Sequence, residues 1–406
     1  MKNNRILLIV LTFAFVIYAA INLFIPQKTY FPDETRFIGE AISFAKTGEF
    51  IVFDEYRAWE MPLTAIIYSV FYNIFGEHNF IIAIRVFQAL ILIITALGVG
   101  YISKLLFKNR VSYLAAVIMM LFYPSLVAYH LTLLSELLFI FFLVWSFAFI
   151  YFWMENKKII WLVLSIISFS LAAYTRATLT FIIPVFVLLA AYGMNCNFSK
   201  ILRYTLISAI LFAVCLSPWW IRNNTIFGNF IPFTTSASWN LYLGNNPANK
   251  TASIDWGESG VDANEVKLIH GLKDELKISK SFAQKAKEYI INNPVVFLKN
   301  AWLKFKRFWN FTSNYEAPTE QSLLHKMYNI CLLLSWLPVF CLGVVSFWLN
   351  RNIWKRTLPI YCLIVYFTII HIVVIASLRY RLPIEPFFIV MASDCIGRIF
   401  RKEGSL

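Results

Sequence analysis

Charge is scarce in this chain: Asp, Glu, Lys and Arg make up 14% of its 406 residues, against about a quarter in soluble domains. No fixed-period repeat is present, which excludes a solenoid or propeller. Its six cysteines, Cys196, Cys215, Cys331, Cys341, Cys362 and Cys395, include no CxxC, and nearly all lie in or beside apolar stretches. They read as small buried hydrophobes and say little about redox compartment. The five histidines show no HExxH or other metal spacing, and there is no P-loop, GxGxxG or serine nucleophile elbow. ATP-driven transport and hydrolase chemistry therefore lose support.

Hydrocarbon is what the chain has in abundance, with a hydrophobic fraction of 59% and an aromatic fraction of 18%. Apolar runs of about 18 residues or more recur, each long enough to cross roughly 30 Å of lipid. In that solvent the backbone must satisfy its own hydrogen bonds, so such runs are helices. The expected fold is an all-α, polytopic membrane protein. The net charge of +14 is spread between the apolar runs rather than gathered in one basic domain, which argues against nucleic acid as a partner.

Ten spans are expected: roughly 6–25, 80–106, 111–127, 133–153, 159–174, 179–192, 201–220, 323–349, 358–376 and 382–399. No small-residue cleavage site follows the first, so it reads as an uncleaved anchor; a signal peptide is the alternative. Short loops on one side carry Lys104, Lys108 and Arg110, Lys157 and Lys158, Lys200 and Arg203, and Arg351, Lys355 and Arg356. Lys2, Arg5, Arg398, Arg401 and Lys402 lie on that side too. The positive-inside rule makes it the cytoplasm, with both termini there. The expected organisation is a transmembrane core over 1–220, with a first extracytoplasmic loop at 26–79. A mostly helical outer loop region follows at 221–322, then C-terminal helices at 323–406. Within the first loop, Phe37, Ile38, Ala41, Ile42 and Ala45 have the spacing of a helix lying on the membrane surface. Pro62–Gly76 is apolar but short, and reads as a second interfacial or re-entrant helix.

Chemistry-bearing residues gather at the outer ends of the spans. Asp33 and Glu34 are adjacent carboxylates just past the first span, about 100° apart on a helix, so they divide roles. One faces a cavity, and the other orients it or binds metal; the alternative is that Asp33 simply caps the helix. Glu60 precedes an apolar run, where a lone carboxylate needs a cation or donor; alternatively it favours a helix dipole. Glu136 lies near the start of the fourth span. Arg176, Arg379 and Arg381 occupy short outer turns, against the orientation bias. A phosphate ligand would explain that, and snorkelling to headgroups is the alternative. Arg85 and Arg222 are weaker members of the set. His325, at the outer start of the eighth span, is a candidate to join Glu60 on a metal.

With those residues in place, the chain resembles the GT-C membrane glycosyltransferases, in particular protein O-mannosyltransferases and the bacterial aminoarabinose transferase (family 39-like). The matching pieces begin with Pro32-Asp33-Glu34, Trp59-Glu60-Met61-Pro62-Leu63, Ser135-Glu136-Leu137-Leu138-Phe139 and Tyr174-Thr175-Arg176-Ala177-Thr178. Ser217-Pro218-Trp219-Trp220-Ile221-Arg222-Asn223, the run Asn240–Pro247 and Arg379-Tyr380-Arg381-Leu382-Pro383 follow in the same order. The resemblance implies a polyprenyl-phosphate-linked sugar donor and an extracytoplasmic acceptor, whether lipid, glycan or protein, at the cell inner (plasma) membrane. It marks Asp33 as general base. Arg57, Arg176, Arg379 and Arg381 are expected to bind the donor phosphate. Glu60, Glu136, Tyr380 and Asn245 are expected to position substrate or metal, and a divalent cation is expected to assist. Relatives often carry Lys where this chain has Met61, and Arg57 is the candidate replacement. No covalent sugar intermediate is required, so the anomeric centre should invert. A lipid or glycan flippase is the rival class, but it needs polar or broken helices at mid-bilayer, and the charges here sit at one face. A non-catalytic envelope scaffold is a third reading.

Overall fold

The computed structural model describes residues 2–53, 55–179, 182–249, 266, 268–269, 271–312 and 323–400. The described residues are helical apart from turns and a single antiparallel bridge between Val52 and Tyr56. Six helices are long and apolar enough to cross a membrane. In chain order the elements are α1 (Lys2–Phe24), α2 (Pro32–Thr47), α3 (Leu63–Phe107), α4 (Arg110–Leu121) and α5 (Pro124–Tyr129). Next come α6 (Glu136–Asn156), α7 (Ile159–Thr175), α8 (Ile183–Gly193), α9 (Phe198–Phe227) and α10 (Ser236–Gly244). The long loop after α10 contributes α11 (Glu275–Asn292) and α12 (Pro294–Phe308); α13 (Leu323–Leu349), α14 (Trp354–Val373), α15 (Leu378–Arg381) and α16 (Glu385–Ile399) follow.

Several boundaries depart from the sequence reading for local reasons. The expected second interfacial helix and the second span are joined in α3, broken only at Gly76, whose φ of 70° and ψ of 175° no other residue adopts cheaply. The expected third span ends early at Leu121. Pro124 holds Tyr123 extended and begins a separate one-and-a-half-turn helix, α5. The fourth span begins at Glu136 rather than Leu133, because the Leu133 N–H donates to the Glu34 carboxylate (3.0 Å) instead of joining a helix. α4, α7, α8 and α16 are each shorter than 18 residues, so six of the ten expected spans coincide with helices long and apolar enough to cross a membrane among the described residues. The loop 250–265 and the terminal Arg401 and Lys402 lie outside the described residues.

The core is built around α6 and α16. Fourteen of the 21 residues of α6 are buried, and α16 is buried from Glu385 through Cys395. α6 packs on α3 and α7, and α16 on α4 and α13. A second, smaller core lies over one end of the bundle. There Tyr56, Trp59, Tyr242 and Phe282 clamp α11 onto the first loop. Glu275 at the start of α11 accepts hydrogen bonds from Arg57 N (2.7 Å), Ala58 N (3.0 Å) and Thr235 Oγ1 (2.5 Å). That contact fixes the backbone two residues before Glu60.

Candidate active site

A cleft of about 930 Å³ opens between α2, the end of α7, α10, α12 and α15. Its polar wall is assembled from seven chain segments. Pro32 starts α2 with its missing N–H at a position that has no intrahelical partner. Glu34 then takes both preceding N–H groups, Tyr30 and Phe31, at 2.7 Å each, on one oxygen, and Leu133 N on the other. This fully buried carboxylate ties the start of α2 to the segment leading into α6. Asp33, its neighbour, is thereby turned into the cleft. Asp33 lines the cavity, and Glu34 builds the wall that holds it.

From Asp33 the charges alternate in an unbroken line. Asp33 accepts from Arg379 Nη1 at 2.7 Å and lies 3.7 Å from Arg36 Nη2. Arg36 Nε meets Glu60 at 2.9 Å. On the other side, Arg379 Nε meets Glu136 at 2.7 Å, and Arg176 Nη1 meets the same oxygen at 2.5 Å. Three carboxylates and three guanidinium groups thus run Glu60–Arg36–Asp33–Arg379–Glu136–Arg176. Glu136 is the first residue of α6, where the helix dipole favours an anion. Tyr380 lies under both Arg176 and Arg379, each 5.6 Å from its ring, and is itself stacked on His371 at 4.8 Å. That stack fixes the direction in which the arginines project.

The field of this line acts on its members differently. Burial pushes the Asp33 carboxyl up, but Arg379, Arg36 and Arg176 outweigh it and hold the group below its ordinary value. Burial lifts the Glu60 carboxyl above its ordinary value despite Arg36 and Arg176. Asp33 is therefore the stronger anion of the two, and it is exposed to the cavity.

Not every expected residue arrives here. Asp33, Glu60, Arg176, Arg379 and Tyr380 line the cleft, and Glu136 lies directly behind the arginines. Glu34 does not face it. Arg57 is half exposed and paired with Glu49 (3.2 Å), away from the cavity wall. Arg381 turns into the protein: it bonds Glu385 at 2.8 Å and the carbonyls of Phe308 and Asn310, and its guanidinium lies 4.3 Å over Trp336. Two residues beyond Arg379 on a short helix, it points to the opposite side. Asn245 is buried, donating to the Leu241 and Val373 carbonyls and accepting from Lys304 Nζ at 3.0 Å. The His325 side chain lies outside the described residues. Among the described residues no group of three or more His, Cys, Asp or Glu comes together. Glu60 faces the Arg36 guanidinium at 2.9 Å.

Sequence reasoning missed Arg36 and Arg307, which line the cleft. Arg36 was legible as the i+3 partner of Asp33 on a helix face. Arg307 sits in the basic last turn of an amphipathic outer helix, a pattern shared by many solvated helices.

Fold and site together define a class: a helical integral membrane protein with an arginine- and carboxylate-lined cleft at one end of its bundle. Residues 60–221 match the model of a family described as dolichyl-phosphate-mannose-protein mannosyltransferase. The match begins at Glu60 and takes in Glu136 and Arg176. No curated protein matches the chain. Among solved structures, ArnT from Cupriavidus metallidurans in the apo state is similar with a TM-score of 0.45 and 12% identity, over 98% of this chain and 78% of that one. The same protein bound to undecaprenyl phosphate gives 0.47 and 11%, over 96% and 78%.

Proposed function

We propose that this protein is a membrane glycosyltransferase that moves a sugar from a polyprenyl-phosphate donor to an acceptor at the extracytoplasmic face of the cell membrane. The observation that carries the reading is the position of Asp33 in the cleft, ion-paired to Arg379 at 2.7 Å, with Arg176 one carboxylate further along. The family match over residues 60–221 supports the reaction class, and the basic short loops support the orientation.

The donor phosphate sits against Arg379 and Arg176, whose guanidinium groups suit a phosphate's oxygens. Its arrival draws Arg379 away from Asp33. The carboxyl, held low by that arginine, then becomes a better base at the moment it is needed. Asp33 takes the proton of the acceptor hydroxyl or amine as it attacks the anomeric carbon. The lipid phosphate departs with its charge on the arginines. A single displacement inverts the anomeric centre. No step is routed through a metal.

The test is Asp33→Asn in purified protein, given a polyprenyl-phosphate sugar and an envelope-lipid acceptor. Positioned proton removal contributes about 10²–10⁴-fold, so turnover should fall by that factor while donor binding is kept. Retained transfer would remove Asp33 from the mechanism.

A further inference from the structure

Behind the cleft lies a second hollow of about 350 Å³. One face of α2 (Thr35, Arg36, Gly39, Glu40 and Ser43) and the extended segment 51–53 form its walls. Arg36 lines both cavities, so they meet at its side chain.

Three observations show that the hollow is built rather than left over. Glu40 is 1% exposed, yet its Oε2 has no hydrogen-bond partner among the described residues. A buried polar atom left so is destabilising and calls for a partner. Gly39 sits mid-helix with nothing within 4 Å of where a Cβ would stand. Helical backbone does not need glycine there; glycine instead weakens the helix. What its absent side chain supplies is room. Phe53, on the opposite wall, has a φ of 53°, a conformation that is costly for a bulky side chain.

The chemistry suits hydroxyl groups. Burial, and then the neighbouring charge of Glu60, lift the Glu40 carboxyl well above its ordinary range, against Arg36 and Arg222. The neutral acid so favoured both donates and accepts, as a hydroxyl partner requires. Arg36 adds donors, and the volume lies at the small end of ligand cavities, about 300–1,000 Å³. That suits one ring and not a polyprenyl tail.

Resting on the transfer reading above, we propose that this annex holds the distal, hydroxylated ring of an acceptor glycan whose reactive hydroxyl lies at Asp33. Asp33 and Glu40 are seven residues apart on one face of α2, about 10 Å along its axis. One sugar ring does not bridge that distance, and a disaccharide does. The preferred acceptor therefore presents at least two rings.

The test measures binding without turnover. Full-length protein in nanodiscs is presented with dihexosyl- and monohexosyl-diacylglycerol, and separately with undecaprenyl phosphate, by native mass spectrometry. Wild type should bind the dihexosyl lipid at least tenfold more tightly than the monohexosyl lipid. Gly39→Leu, which fills the annex, should abolish that difference and leave undecaprenyl phosphate binding within twofold. Gly39→Ala should keep the preference and raise the melting temperature. Ser43→Phe, which blocks the annex from its exposed wall, should reproduce Gly39→Leu. Equal binding of the two glycolipids by wild type, or a preference that survives both blocking variants, overturns the proposal. So does tighter binding of a Ser/Thr peptide than of either glycolipid. Failure of wild type to bind undecaprenyl phosphate strikes the donor reading instead, and that arm is read without any acceptor.

Discussion

Removing Arg379 breaks the line of charges at its centre, and the size of the effect follows from what each neighbour keeps. Arg379 holds Asp33 at 2.7 Å and Glu136 at 2.7 Å. In Arg379→Gln, Glu136 is the costly orphan, because its side chain is only 2% exposed. Stranding a buried charge costs about 3–5 kcal/mol. Glu136 still has Arg176 at 2.5 Å, which places this case at the low end, about 3 kcal/mol. Asp33 is 34% exposed, and solvent screens its pair to under about 1 kcal/mol. The total is about 3–4 kcal/mol, read as a lowered midpoint in thermal or denaturant unfolding in detergent. The double variant Glu136→Gln/Arg379→Gln removes the orphaned carboxylate but also takes the partner of Arg176, so it should recover only part of that loss. The pH dependence has a definite sign. Asp33 is held below its unfolded value, so its contribution is present above about pH 4 and is lost as pH falls through the folded value. In Arg379→Gln the carboxyl rises toward the ordinary range, and that acid-side loss shrinks. A variant less than 1 kcal/mol weaker than wild type, or a double variant no better than the single, would refute the reasoning.

Two further perturbations separate structural from functional charges. Arg381→Met removes a fully desolvated partner of Glu385, so it should destabilise the protein by about 3–5 kcal/mol. Undecaprenyl phosphate affinity, measured on the folded fraction, should stay within twofold; a tenfold loss would return Arg381 to the donor site. Lys304 is buried on α12, with Nζ donating to Asn245 Oδ1 (3.0 Å) and to the carbonyls of Val373 (3.3 Å) and Val374 (3.1 Å) at the end of α14. Burial lowers its amine to about 7, so between there and the ordinary lysine value the unfolded chain binds the extra proton and stability rises with pH. Melting curves between pH 6 and 9 should show that rise in wild type. Lys304→Met should flatten it, and an unchanged slope would remove Lys304 as its source.

Much of this was legible in the sequence, and the residues show why. Apolar runs announce helices because lipid leaves the backbone no other partner, and Pro32, Pro124 and Pro294 mark helix starts in the structure. Asp33, Glu60, Arg176 and Arg379 stood out because each is a charge where hydrocarbon begins. Direction within a turn was not legible. Arg379 and Arg381 look alike as text, yet one reaches Asp33 and the other Glu385. Nor does sequence say that Glu34 meets Leu133, 99 positions away, or that Asn245 meets Lys304. Those contacts depend on how the helices cross. Nor was helix length legible: α16, expected as a span, is a 15-residue helix buried among other helices.

The central claim is that guanidinium groups beside Asp33 grip the anionic head of a lipid carrier. Its most direct test compares undecaprenyl phosphate with uncharged undecaprenol on wild type and on Arg176→Gln. The account predicts at least tenfold tighter binding of the phosphate by wild type, with most of that advantage gone in the variant. Equal binding of the two lipids by wild type, or an advantage untouched by the substitution, would contradict it.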